Sequence, residues 1–256
     1  MSSLRVEGLA KWFGRQQVLY DISFACEPGK VNMIIGPSGC GKTVLLKCIV
    51  GLIQPDRGKV FFGDLEFLSA KPQDRQAILR NLGMLFQSSA LFDSMTVGEN
   101  VAFPLRVFTR QSEKQIQDRV AYCLERVGLA GTQDKYPAQL SGGMKRRVGL
   151  ARAIALNPQY LFCDEPNSGL DPLTARRIDA LIRELTQEFG TTTLVVTHDL
   201  KSVVDMGEKI LFLYEGRAEW QGTREELLGA VETMPPNLQA FLRASGLVEP
   251  SKAGKP

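Results

Sequence analysis

Short, unbroken apolar runs lead into helical spacings at three places along this chain. VNMIIG, residues 31 to 36, precedes GKTVLLKCIVGL; YLFCDE, residues 160 to 165, precedes DPLTARRIDALIREL; TTTLVVTH, residues 191 to 198, precedes DLKSVVDMG. A strand that is apolar at every position has no face for water, so it belongs in a sheet covered on both sides, and the helices after it supply the crossovers of a parallel sheet. EKILFLYEG adds one more such strand and closes the pattern near Gly216. Near the N-terminus, LRVEGL and QQVLYDISF alternate apolar and polar positions more strictly, which predicts an antiparallel sheet with one wetter face.

From about Gln87 to Leu156 the strand pattern stops. Ser112 and Gln115 form an S-x-x-Q capping box, and Ile116, Val120, Leu124 and Val127 then recur at helical spacing. The expected architecture is α/β: a mostly parallel sheet core, an antiparallel β-subdomain, and an α-helical subdomain inserted at about 88–156. One domain over 1–235 is expected, then a short C-terminal helix and tail over 236–256. In PPNLQAFLRASG, Leu238, Phe241 and Leu242 form a short apolar face that packs either on its own domain or on a neighbouring copy. The tail VEPSKAGKP is polar and predicted to be disordered.

Composition narrows this picture only slightly. A chain of 256 residues with 44% hydrophobic and 23% charged residues can bury a sizeable core, and a net charge of +3 spread along the chain gives no reason to expect a nucleic-acid partner. No window approaches eighteen uncharged apolar residues, and the first residues lack the basic-then-apolar order of a secretory signal, so neither a span nor export by that route is expected. The five cysteines include no C-x-x-C pair, which argues against disulfides and zinc. Cys40 stands at a helix start, where a thiol's pKa should fall; the other reading is a small residue that fills the loop.

The chemistry concentrates at strand ends. GPSGCGKT, Gly36 to Thr43, follows an apolar strand and opens a helix, the context in which backbone N–H groups from Ser38 through Gly39, Cys40 and Gly41 wrap phosphates. Lys42 then neutralises β/γ charge and the Thr43 hydroxyl can hold Mg²⁺. Asp164 and Glu165 end another apolar strand, where two adjacent carboxylates suit Mg²⁺ and activation of an attacking water. His198, the single histidine, ends a third strand on the same expected sheet edge. LSGGMKRR, Leu140 to Arg147, looks like a second anion loop, with glycines and a helix start before a basic cluster.

In order, GPSGCGKT, Gln87 within MLFQSSALF, LSGGM, YLFCDEP, SGLD and VVTHD resemble the motifs of the nucleotide-binding subunit of ABC transporters, over about residues 3 to 230. The resemblance implies a P-loop NTPase fold of ABC type that binds ATP and Mg²⁺ and works as a head-to-tail dimer, one copy's phosphate loop facing the other's LSGG. By position it makes Lys42, Thr43 and Asp164 the phosphate and Mg²⁺ residues, Glu165 the general base, and His198 the switch histidine at the γ-phosphate. Gln87 would sense Mg²⁺ and the attacking water; Ser141, Gly142 and Gly143 would cap the partner's γ-phosphate; Asp171 would link the two sites. Phe13 is placed like the aromatic that stacks on adenine, although an aromatic there could equally pack the small sheet. Two departures from the usual pattern are Met144 in place of glutamine, which leaves the polar contact there open, and Gly169 in place of alanine, which is expected to loosen its turn.

LFQSSALFDSMTVGENVAFPLR and SGGMKRRVGLARAIALNP further resemble the ATPases of the Mla/Mkl, MCE-associated lipid transporters. That likeness implies a (phospho)lipid-transport ATPase at the cytoplasmic face of the bacterial inner membrane. Its partners would be a separate transmembrane permease, an MCE-domain substrate-binding protein and a candidate small accessory subunit. Sugar importers of this family usually carry a regulatory domain after the cassette, whereas about twenty-five residues follow the core here, so a sugar importer is not the expectation. Competing readings are the ATPase of another importer, for instance of polar amino acids, a permease-free ABC ATPase such as an iron–sulfur assembly factor, and a P-loop kinase, which has no use for LSGGM.

Overall fold

The computed structural model describes residues 3–229 and 231–247. Six strands form the central sheet: β3 (Val31–Ile35), β6 (Leu82–Leu85), β7 (Tyr160–Asp164), β8 (Thr192–Thr197), β9 (Lys209–Tyr214) and β10 (Arg217–Thr223), in the order β10-β9-β3-β8-β7-β6. All neighbours pair parallel except β10, which runs antiparallel to β9. A second, antiparallel sheet has the order β2-β1-β4-β5, with β1 (Leu4–Phe13), β2 (Gln16–Cys26), β4 (Arg57–Phe62) and β5 (Leu65–Glu66). The expected parallel core and antiparallel β-layer are therefore both present. The hairpin into β10 was not anticipated; the chain reverses through Glu215 and Gly216, both at positive φ, the conformation that suits a tight hairpin.

Successive residues of a strand point to opposite faces, and the central strands divide their apolar residues accordingly. Val31, Met33 and Ile35, with Leu161, Cys163, Val195, Ile210 and Phe212, enter one core, whereas Ile34, Phe162, Leu194, Val196 and Leu211 enter the other. The second core is closed by α1 (Lys42–Ile49) and by the small sheet. There the Phe62 ring meets Phe67, Tyr160 and Phe162 edge-on, at centroid separations of 5.1, 4.9 and 6.3 Å. A short helix, α2 (Pro72–Arg80), leads into β6.

The first core extends into helices. α3 (Val97–Phe108), α4 (Glu113–Arg126) and α5 (Gly142–Ile154) lie between β6 and β7, where no strand occurs among the described residues. Ser112 and Gln115 form the anticipated capping box on α4, and Ile116, Val120, Leu124 and Val127 are buried. Thr96 and Glu99 form a second capping box on α3. Arg119 from α4 donates to the carbonyls of Ile154 (2.8 Å) and Ala155 (2.9 Å), satisfying the open C-terminal end of α5. The sheet's other crossovers are α6 (Pro172–Phe189) and α7 (Leu200–Met206), followed by α8 (Arg224–Gly229) and α9 (Pro236–Ala244). Leu238 and Leu242 of α9 are buried in the chain's own core, and Phe241 lies 5.5 Å from the Phe212 ring. The tail expected to be disordered falls outside the described residues beyond Leu247. All five cysteines are free and buried, and among the described residues no helix is long and apolar enough to cross a membrane.

Candidate nucleotide site

Parallel pairing of β3, β8 and β7 brings their C-terminal ends to one edge: Ile35 pairs with Thr197, and Asp164 with Val196. The residues just beyond those ends therefore converge in the crevice where open α/β sheets bind ligands. Gly36 to Gly41 form the loop from β3 to α1, and a cavity of about 280 Å³ over it is lined by Val18, Ser38, Lys42, Thr43, Gln87 and Glu165, among others.

Lys42 is buried, at 5% exposure, and its ammonium group donates to the carbonyls of Gly36 and Pro37, both at 2.9 Å. Glu165 Oε1 stands 3.8 Å from the same nitrogen. The cation thus braces the loop from inside and faces a carboxylate across the crevice. Thr43 Oγ1 donates to Asp164 Oδ1 at 2.9 Å. Burial, chiefly, raises the Asp164 carboxyl above the usual carboxylate range; the Thr43 hydrogen bond opposes this and the adjacent Glu165 adds to it. A hydroxyl and a buried carboxylate side by side are the hard oxygen donors Mg²⁺ prefers when phosphates supply the rest.

Glu165 adopts φ +46, a left-handed conformation costly for a residue with a side chain. Its N–H still reaches the Val196 carbonyl at 2.8 Å. The carboxylate accepts from His198 Nδ1 at 2.8 Å through Oε2 while Oε1 faces Lys42. One side chain is thereby held between the phosphate loop and the end of β8, with backbone strain at the position where a base would work. Gln87 Nε2 donates to Ser168 Oγ at 3.4 Å, tying the loop after β6 to the loop after β7.

The remaining anticipated residues do not line this cavity. Ser141 caps α5, accepting from the Met144 N–H at 3.3 Å, so position 144 contributes its main chain, and its side chain packs against the first core. Gly142 is exposed, and Gly143 packs so closely that a Cβ there would lie 2.5 Å from Thr174 Cγ2. Asp171 caps α6, accepting from Leu173 N (3.1 Å) and Thr174 N (3.0 Å). Phe13 is 48% exposed, beside the Lys11 ammonium, and does not pack into the small sheet's core.

Burial raises the Cys40 thiol's pKa and outweighs Lys42 and the local N–H groups, so this thiol is a filler rather than a nucleophile. Two of the basic residues after LSGGM are paired inside the chain. Arg146 is buried and donates to the carbonyls of Phe86 (2.9 Å), Gln87 and Ser168 (3.1 Å), and Arg147 donates to those of Val127 (3.2 Å) and Gly128 (3.0 Å). Gly169, at φ +76, occupies a left-handed position that glycine adopts without strain. Arg146 was missed as a functional residue, because its acceptors are main-chain oxygens that any sequence would supply.

Residues 19–168 match the ABC transporter family model. The chain is 38% identical to the probable ribonucleotide transport ATP-binding protein mkl of Mycobacterium tuberculosis, over 94% of this chain and 66% of that protein. It is 39% identical to the sulfate/thiosulfate import ATP-binding protein CysA of Mesorhizobium japonicum, over 88% of this chain and 64% of that one. The chain thus spans about two thirds of the length of these curated relatives. Among solved structures, the dimeric structure of MJ0796, a bacterial ABC transporter cassette, superposes with a TM-score of 0.79 at 30% identity, covering 86% of this chain and 98% of that one. A dimeric post-hydrolysis state of the same cassette bound to ADP and Pi gives 0.78 at 30% identity, with the same coverage.

Proposed function

Since the chain belongs to the ABC transporter family, as an ATP-binding cassette, we propose that it is the ATP-hydrolysing subunit of a bacterial lipid transporter. The observation that carries the ATPase reading is the meeting of Lys42, Thr43, Asp164, Glu165 and His198 at one sheet edge. Lys42 exchanges its two loop carbonyls for phosphate oxygens, and the N–H groups of Ser38 to Thr43 take the rest of the phosphate charge. Thr43 and Asp164, with Gln87, would hold Mg²⁺, which would supply neutralisation of the phosphate charge. Glu165 takes the proton of the attacking water, and His198 keeps that carboxylate aimed while reaching the γ-phosphate. Phe13 stacks on adenine. Ser141, Gly142 and Gly143 of a second copy close each site from the opposite side, and Asp171 links the two. The dimeric solved relatives support that pairing.

A transmembrane permease docks in an apolar cavity of about 390 Å³ beside the helical segment, lined by Phe86, Phe92, Phe103, Phe108, Leu79 and Arg152. Phe92 and Phe103 stay 41% and 38% exposed although their rings stand 4.9 Å apart, which supports a covered apolar face. The cargo reading, a phospholipid delivered with an MCE-domain protein at the cytoplasmic face of the inner membrane, rests on the Mla/Mkl likeness of residues 85–106 and 141–158. The relatives' names speak of ribonucleotides and of sulfate, so cargo must be measured. The test is to purify the chain with whatever it binds in detergent-solubilised membranes, identify the partners, and follow lipid transfer between vesicles with ATP. An MCE-domain protein, a permease and ATP-driven transfer lost in Lys42→Ala are expected; a permease-free complex, or a sulfate-binding partner, would overturn the cargo reading.

A further inference from the structure

Two residues after Glu165 the chain enters a buried polar cluster that the steps above do not use. Asn167, 8% exposed, donates through Nδ2 to Asp179 Oδ1 at 2.7 Å and to Ser202 Oγ at 3.0 Å. Asp179, 2% exposed, lies on α6; Ser202, fully buried, lies in the first turn of α7, four residues after His198. One cluster therefore joins the loop that carries Glu165 to the helix that follows His198, by way of a third element. It is also incomplete, since Asn167 Oδ1 is buried with no hydrogen-bond partner among the described residues. A cavity of about 450 Å³ reaches it between α6 and α7, lined by Asn167, Asp179, Asp199, Lys201, Arg176 and Leu173, among others.

We propose that Asp179 is a positioning residue with two hydrogen-bonding states. Ionised, it accepts from Asn167, with the Ser202 hydroxyl, which also reaches Asp199 Oδ2 at 3.4 Å, as its second donor, and holds the Glu165 and His198 loops in register; protonated, it donates to Asn167 Oδ1 after that amide turns, and the two loops uncouple. The inference rests on the ATPase reading of Glu165 and His198. A proton from solvent is the only atom added, and each state satisfies a group the other leaves open. Burial, above all, pushes the Asp179 carboxyl up to about 6, against the two donors and with help from Asp199 and Asp205. The charged and titratable neighbours are Arg176 on α6, Asp199 before α7, Lys201 and Asp205 on α7, and on β7 the buried Cys163 thiol, whose pKa is raised. The switch accordingly falls on the acid side of neutrality, where carboxylates in water have long since ionised.

Steady-state ATP hydrolysis by the full chain in its permease complex, from about pH 5 to 9, tests this through kcat and KM separately. Asp179→Ala should lower kcat about tenfold with KM for ATP unchanged, because loop alignment is lost while the phosphate loop is untouched. Asp179→Asn keeps an acceptor for Asn167 and cannot ionise, so it should recover most of kcat and move the acid limb of the profile to lower pH. Ser202→Ala, which removes a donor to the carboxylate, should move that limb to higher pH and guards against a misfolded Asp179→Ala. An acid limb unmoved in both Asp179→Asn and Ser202→Ala, or KM rising with the fall in kcat, overturns the proposal. A wild-type complex that does not hydrolyse ATP overturns the ATPase reading instead.

Discussion

Arg146 is the residue whose removal should hurt most for the least visible reason. It is 6% exposed, and its guanidinium donates to Phe86 O and Gln87 O on one loop and to Ser168 O on another. Those loops carry Gln87 and, three residues before Ser168, Glu165, so a side chain from the LSGG helix staples together the two loops that frame the phosphate cavity. A hydrogen bond to a charged donor is worth about 1.5–3 kcal/mol, so three in sum exceed what one truncation ordinarily costs. Two offsets reduce the figure: the guanidinium regains its hydration in the unfolded chain, and water reaches the exposed Gln87 loop. We expect Arg146→Ala to cost about 3 kcal/mol. At roughly 2–4 °C per kcal/mol for a chain of this size, the midpoint of thermal unfolding should drop by about 6–12 °C. Arg146→Lys keeps the charge but loses the planar fork, and should fall about midway. The assay is thermal unfolding by circular dichroism of the purified chain, with ATP hydrolysis measured well below the midpoint. A drop under about 2 °C, or hydrolysis at the wild-type rate in Arg146→Ala, refutes the stapling argument.

Other outcomes follow from single features. Gly169→Ala should destabilise by about 1–2 kcal/mol purely through its left-handed φ, since nothing lies within 4 Å of the added Cβ; chemical denaturation showing no loss would contradict that backbone cost. A carboxyl raised from 3.8 to about 6 contributes stability that is full below its unfolded pKa and lost as pH rises through about 6. Asp179→Asn should therefore gain relative to wild type above pH 6 by up to about 3 kcal/mol, and the gain should vanish near pH 4; a difference constant across that range rules it out. Glu165→Gln should bind ATP and accumulate dimers without turnover, which sedimentation with Mg-ATP would reveal; a monomer in the intact complex counts against the shared site. In a mixed dimer, Lys42→Ala on one copy and Ser141→Arg on the other damage the same composite site. About half the activity should survive, against almost none when the two changes sit on one copy.

Much of the site was legible because its parts are local. GPSGCGKT declares a phosphate loop within eight letters, and apolar runs ending in Asp164 or His198 place those groups at strand ends, so their convergence follows from parallel pairing alone. The helix cap at Ser112 is likewise read from Gln115, three residues on. What stayed illegible depends on partners distant in sequence or on main-chain atoms. Arg146 bonds to carbonyls some sixty and twenty residues off, whose identity no letter records. The left-handed Glu165 and the bridge from Asn167 to Asp179 and Ser202 exist only once β7, α6 and α7 have packed.

LSGGMKRR shows what this difference means for function. Its basic letters suggest that charge makes the anion site, yet Arg146 and Arg147 spend their donors inside their own subunit. An anion brought by a second copy would meet Ser141 and the first-turn N–H groups of Gly142 and Gly143, which no helix can pair internally. Such groups are directional and neutral, so they bind a γ-phosphate only when it arrives along the helix axis, already held by the facing phosphate loop. In the proposed dimer Arg146 would fix that axis: it ties α5 to the Gln87 and Ser168 loops of its own subunit, so tilting the signature helix at one site would disturb the loops of the other. Coupling between the two ATP sites would thus run through a buried cation that touches neither nucleotide.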